Sequence, residues 1–299
     1  MISAFLSAVT WAFALMVVTV PPSQATPIAS DDTGAHHSIT ARAAAPWQAR
    51  HRMSSSTFQD TFGKMCHDKY RLTYVSGYTV GGDPRFAAIW DQDATSDWAA
   101  RHGMTGAEYQ GQFDALAGKG FRLRLVNGYT VAGDARYAAI WDKSAGAVPV
   151  ARHGLSSSEY QKMFNTFFAK GYRLKHVSGY AQGNQALYAA LWEKSATNTT
   201  WVAHHGMTTS AYQKFSDKYV GQGFRLVHVC GYVVDNVDYY AAIWDKSPSG
   251  PWVARHRMSS ADYQNEFNKW VGKGYRLMLV SGYTLDSDHD MYAALWIKE

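Results

Sequence analysis

The sequence predicts an α+β array. Five tandem strand-helix-strand-strand repeats form a curved or partly closed antiparallel-rich sheet, with the helices on one face. Three observations predict it. His51, His102, His153, His205 and His256 recur at spacings of 51, 51, 52 and 51. Each is followed 26 residues later by Gly-Tyr, from Gly77-Tyr78 to Gly282-Tyr283. Each unit then closes on an aromatic-Ala-Ala-Ile/Leu-Trp run, at Trp90, Trp141, Trp192, Trp244 and Trp296. The repeats occupy 47–97, 98–148, 149–200, 201–251 and 252–299. A unit of about 50 residues cannot bury its own apolar faces, so the five stack as one domain of about 15 strands. A five-bladed propeller is the alternative, disfavoured because blades usually have four strands and no helix.

Each element has a local reason. The opening strand alternates: Trp98, Ala100, His102 and Met104 share one face, and Ala99, Arg101 and Gly103 the other. Thr105-x-x-Glu108 and Ser156-x-x-Glu159 are capping boxes that start a helix. Its buried face carries aromatic pairs four residues apart: Tyr109 and Phe113, Tyr160 and Phe164, Tyr263 and Phe267. Gly120, Gly171, Gly223 and Gly274 supply the left-handed residue that ends it, whereas the first repeat has Lys69 there. A second alternating strand, Phe121 to Val126, leads through Gly-Tyr and a Gly/Asp-rich turn to the third.

The first 25 residues read as a signal peptide. Ile2 to Val20 are uncharged and mostly apolar, and Ser23-Gln24-Ala25 gives a cleavage pattern. A Thr/Ser/Ala/Pro-rich leader follows over 26–46. The expected product is a secreted, extracellular monomer with no membrane contact after cleavage. Asn198-Thr199-Thr200 is a glycosylation sequon that such a route makes usable. Two cysteines, Cys66 and Cys230, exclude a disulfide scaffold and a cysteine-zinc site. They leave either one long-range bridge or two buried thiols. The formal charge of +5 permits acidic partners without indicating nucleic acid.

Catalytic motifs are missing. No Gly-x-Ser-x-Gly and no Ser-x-x-Lys occurs. Arg-His-Gly resembles a phosphatase nucleophile, but a catalytic residue has no reason to be copied five times. A half-buried structural histidine is the expectation. Metal binding is not expected, because equivalent strands of neighbouring repeats hold their histidines too far apart for one ion. No cofactor is implied. Cys66-His67 in the irregular first repeat is the one place a hydrolase site assembled across repeats is sought. A periodic row of Arg71, Arg122, Arg173, Arg225 and Arg276 suggests either an anionic or carbohydrate ligand, or pairing with the Asp of the Trp-Asp-Lys run.

The Trp-x-Ala-Arg-His-Gly-Met, Gly-Phe/Tyr-Arg-Leu, Gly-Tyr and Tyr-Ala-Ala-Ile-Trp pieces resemble the tandem repeats named bacterial tandem repeat domain 1. These also form the N-terminal half of secreted fungal polyglycine hydrolases. The resemblance implies a secreted α/β module, a fungal source, and repeats that sit beside a β-lactamase-like catalytic domain. The proteolytic role has no Ser-x-x-Lys here to land on and is not carried over.

The resulting expectation is a non-enzymatic binding module for an extracellular protein, peptide or glycan. Its most concrete form is a fungal effector, a virulence factor that inhibits a host hydrolase. Divergence among the five copies points to the hairpin loops as the binding edge. The residues are Gly82, Asp83, Asp134, Asn184, Gln185, Asp235, Asn236, Asp286 and Asp288. The abundant aromatics point elsewhere: 29 of the 43 rings fall at repeated positions, which marks them as core rather than contact surface.

Overall fold

A computed structural model describes residues 46–92, 96–195, 199–286 and 288–298. Residues 1–45, read above as a signal peptide and leader, and Asn198 lie outside the described residues. The first repeat contains β1 (Trp47–Ser54), α1 (Ser55–His67), β2 (Arg71–Val80) and β3 (Asp83–Asp91). The second has β4 (Trp98–Met104), α2 (Gly106–Ala117), β5 (Arg122–Val131) and β6 (Asp134–Asp142). The third has β7 (Val150–Ser156), α3 (Ser157–Ala169), β8 (Tyr172–Gln182) and β9 (Gln185–Lys194). The fourth has β10 (Trp201–Thr208), α4 (Thr209–Gly221), β11 (Arg225–Val234) and β12 (Val237–Asp245). The fifth has β13 (Trp252–Ser259), α5 (Ser260–Val271), β14 (Tyr275–Thr284) and β15 (Asp290–Lys298). Both capping boxes form as the sequence predicts, with Glu108 and Glu159 reaching back to the cap backbone. Lys69 adopts the left-handed conformation (φ 64°) that glycine takes in the other four repeats.

The strands divide into five three-stranded antiparallel sheets instead of one continuous sheet. In each, the third strand is central and pairs with the first on one side and the second on the other. The helix packs on one face of its own sheet. The alternation of the first strand is interrupted by a bulge at the conserved-spacing histidine: Arg101 pairs with Ala139, and Met104 with Tyr137.

The second strands stand side by side around an axis. β2 packs on β5, β5 on β8, β8 on β11, β11 on β14, and β14 back on β2. Among the described residues no sheet closes on itself; packing between repeats closes the ring. Its radial arrangement is that of the propeller alternative, with three-stranded blades and a helix on each.

Each inner strand therefore has an unpaired edge, and the next repeat's side chains satisfy it. The N–H of Gly77 donates to Asn127 Oδ1 at 2.6 Å, that of Gly128 to Ser178 Oγ at 3.0 Å, and that of Gly231 to Ser281 Oγ at 3.0 Å. Gly282 N–H donates to Ser76 Oγ at 3.1 Å, which joins the fifth repeat to the first. His228 Nε2 donates to Val177 O at 2.7 Å in the same manner. Side-chain capping of these edges is why fifteen strands do not merge into one sheet.

The repeated aromatics form the joints. The tyrosine after each glycine lies flat on the glycine of the preceding repeat, as Tyr129 does on Gly77. In four of the joints its hydroxyl meets the tyrosine of that repeat's third strand, as Tyr180 does with Tyr137 at 2.7 Å and Tyr78 with Tyr292 at 2.5 Å; the first repeat has Phe86 there. The hydroxyl also accepts the N–H freed by its own first-strand bulge, as in Gly154 to Tyr180 at 3.0 Å. Each repeated histidine stands edge-on to two rings of the preceding repeat. His153 meets Tyr109 and Tyr137 at 4.8 and 5.1 Å, and His51 meets Tyr263 and Tyr292 at 4.8 and 5.3 Å. The histidines are thus half-buried structural groups, as expected.

Two joints carry an additional ion pair. At the bulge, where repeats two to four have Gly103, Gly154 and Gly206, repeats one and five have Arg52 and Arg257, both with positive φ. Arg257 pairs with Asp238 of the fourth repeat at 3.4 Å, and Arg52 with Asp290 of the fifth at 3.3 Å. An aspartate stands at this third-strand position only in repeats four and five; the equivalents are Pro84, Ala135 and Ala186. Arginine and aspartate therefore occur together across a joint, and the Arg52–Asp290 pair makes sense only in a ring. A double-mutant cycle on Arg52→Gly and Asp290→Ala, read by urea unfolding, is expected to give a coupling of about 1 kcal/mol.

Candidate binding face

The hairpins between second and third strands, two residues long in the first four repeats and five in the fifth, all emerge at one end of the ring. The register Ser54 to Arg85 places the helix N-termini at that end as well. The nine loop residues singled out from sequence variation are all exposed on it. Asp83 pairs with Arg85 and Asp134 with Arg136, each at 3.7 Å. In the third loop Gln185 and Leu187 stand where these charges do, and Asn184 where the first two loops have glycine. Asp235 and Asn236 take left-handed conformations (φ 50° and 60°) that short polar side chains tolerate. In the fifth, Asp286 accepts the N–H groups of Asp288 and His289 and the His289 ring at 2.7 Å. These bonds hold its carboxyl below the usual range. One scaffold thus presents five differently equipped turns.

A well of about 110 Å³ opens on the axis among them. The Gly-Tyr pairs, Asn127 and Cys230 line it, with Thr79, Thr130, Ala181, Val233 and Thr284. The threonines continue the edge capping: Thr130 Oγ1 donates to Ala181 O at 2.5 Å, and Thr79 to Thr130 O. Ala181 and Val233 have no hydroxyl with which to repeat this bond. Tyr74, Leu125, His176, His228 and Leu279 share one repeat position deeper along the strands. Tyr74 reaches the cores of the first repeat and of the fourth and fifth. The His176 and His228 rings lie 4.3 Å apart. Burial lowers the pKa of both, His228 to about 4. The well was not foreseen, because it exists only once the ring closes. Its signal was present in the second strands, where the position after each Gly-Tyr reads Thr, Thr, Ala, Val and Thr.

The other sequence candidates resolve as follows. Cys66 and Cys230 are free thiols, so the bridge does not form. Cys66 lies on α1 at the outside of the first blade, whereas Cys230 faces the axis from β11 in the fourth. Burial raises the pKa of Cys66, the opposite of an activated nucleophile. His67 bonds Asp68 at 2.9 Å instead of the thiol. Among the described residues no cluster of three or more metal-ligating side chains occurs. The arginine row is largely committed to joints between blades. Arg71 pairs with Asp142 at 3.6 Å, Arg173 with Asp245, and Arg276 with Asp91. Arg225 reaches the Asp245 of its own repeat at 3.4 Å, and Arg122 donates to Gly146 O.

The family model described as "polyglycine hydrolase-like, structural repeat" matches five times in succession, over residues 44–93, 95–144, 146–195, 198–247 and 249–299. With each match spanning one blade and the five covering most of the sequence, the chain belongs to the polyglycine hydrolase-like structural repeat family.

Proposed function

We propose that the protein is a secreted, non-enzymatic binding ring. Its hairpin face recognises an extracellular protein, peptide or glycan, and a host hydrolase is the most concrete partner. The observation that carries this reading is the contrast between scaffold and turns. Joint residues repeat in all or nearly all blades, while the exposed turns around the well differ in charge, size and backbone conformation. Loops of variable chemistry on a rigid, repeated frame are the common design of a recognition surface. Reactive groups point the same way: the Cys66 thiol is deactivated by burial, and the repeated histidines are engaged in joints.

The test replaces the turns at 81–82, 183–184 and 235–236 with Ala-Gly from the second repeat. This variant keeps two-residue turns and leaves every joint untouched. Native protein is expected to retain a specific partner from host extracellular fluid under stringent washing, and the variant to lose it with thermal stability nearly unchanged. Equal retention by both proteins overturns the assignment to the hairpin face.

A further inference from the structure

The end of the ring opposite the hairpins has a different chemistry. Helix C-termini, second-strand starts and third-strand ends converge there, because the register pairs Arg122 with Asp142 and Arg71 with Asp91. The Arg-Asp pairs described above neutralise one another in this layer. Outside them lies a set of lysines at two repeat positions. Lys143, Lys194, Lys246 and Lys298 follow the third-strand aspartate position or its equivalent. Lys119, Lys170 and Lys273 precede the helix-ending glycine. All seven are exposed. Of these, Lys143 has a carboxylate contact, with Asp97 at 3.1 Å, whereas Glu193 pairs with Lys175 rather than with Lys194.

Each lysine of the first set lies over an aromatic ring of its own blade. Lys143 is 4.8 Å from the Phe121 centroid, Lys194 5.4 Å from Tyr172, Lys246 4.8 Å from Phe224 and Lys298 6.0 Å from Tyr275. The first blade breaks the series. Gln92 and Asp68 occupy the two positions, and Gln92 Nε2 donates to Asp68 O at 3.1 Å. The lysine-over-ring series is therefore an arc over blades two to five, although the first blade carries exposed Lys69 beside Asp68.

We propose that this arc is a second binding surface and that its ligand is a linear anionic polysaccharide. Four lysine-over-ring units in succession match a chain of repeating acidic sugars. When a lysine turns outward to a carboxylate or sulfate, it uncovers an aromatic ring against which a sugar packs. Charge complementarity supplies affinity and a steep salt dependence. An anionic membrane is a poorer fit, since a headgroup layer makes no use of the aromatic ring beneath each lysine. The arc lies on the face opposite the hairpins, so this inference does not depend on the partner read for them.

Polygalacturonate oligomers titrated into the full-length protein at low ionic strength test it, with calorimetry and tryptophan fluorescence as readouts. Binding is expected, with affinity falling at least tenfold between 20 mM and 200 mM salt (about these concentrations). Changing Lys143, Lys194, Lys246 and Lys298 together to Glu is expected to weaken it about 100-fold, and to Gln by a smaller factor, with the melting temperature monitored as a fold control. Turn-swapped protein is expected to bind as the native does. Absence of binding, binding indifferent to the four lysines, or tighter binding to phosphatidylserine vesicles or duplex DNA overturns the proposal.

Discussion

Acidification from pH 7 to pH 5 is expected to remove several kcal/mol of folding stability. The cause is burial of neutral imidazole. Desolvation depresses the pKa of His51, His102, His153, His205 and His256 at the joints. It also depresses His176 and His228 near the axis and His204 against α4. His204, His205 and His228 fall to about 4. The unfolded chain takes protons near 6.5, where the folded chain resists them. Stability from these groups is thus complete above about pH 6.5 and is lost as pH falls toward 4. His205 and His228 alone account for about 2 kcal/mol each at pH 5. Urea unfolding at pH 7, 6 and 5 measures the slope. His228→Leu supplies the control, because leucine fills this position in blades two and five as Leu125 and Leu279. That variant is expected to show a shallower acid slope, and an unchanged slope would exclude His228 as a contributor. Asp142 and Asp245 are held below the usual carboxylate range by serine and arginine partners despite their burial. Their loss belongs to a separate, lower pH window.

A large single-residue effect is expected from Gly77→Ala, a destabilisation of about 3 kcal/mol or more. A methyl group there would stand 2.5 Å from Cδ1, 2.7 Å from Cε1 and 2.9 Å from Cγ of Tyr129. The ring cannot easily move aside. Its hydroxyl accepts the N–H of Gly103 at 3.0 Å, and its edge meets Phe86 at 5.6 Å between centroids. Shifting the strand instead would break the 2.6 Å bond from Gly77 to Asn127. Gly63→Ala is the matched control, since a methyl group there meets nothing within 4 Å and alanine favours a helix. Thermal unfolding of the two variants is expected to differ by many degrees, and similar melting temperatures would refute the flat glycine–tyrosine joint.

The repeat, its elements and its core were legible in the sequence because each rests on local periodicity. Thr105-x-x-Glu108 announces a cap wherever it occurs, and alternation marks a strand. The exposed hairpins were legible too, since turn residues and divergence both point to them. Ring closure was not, because it is a relation between residues more than 200 positions apart. The one clue, Arg52 with Asp290, is a pairing that local patterns do not reveal. For the same reason the arginine row admitted two readings: its partners lie in neighbouring blades, and spacing alone does not say which. The axial well and the lysine arc share this origin, as both are built from equivalent positions brought together by closure.

Closure also orders events in time. His51 meets Ser260, 209 residues later, and Tyr78 meets Tyr292, 214 residues later. Every other joint links neighbouring blades and can form as soon as the later one emerges from the ribosome. At ordinary synthesis rates the first blade waits roughly 10–40 s for its counterpart. During that interval its bulge, its Tyr78 face and Ser76 on β2 lack their partners from the fifth blade. The nascent ring is an open arc with one sticky end, and shielding that end is the step on which the yield of folded protein depends.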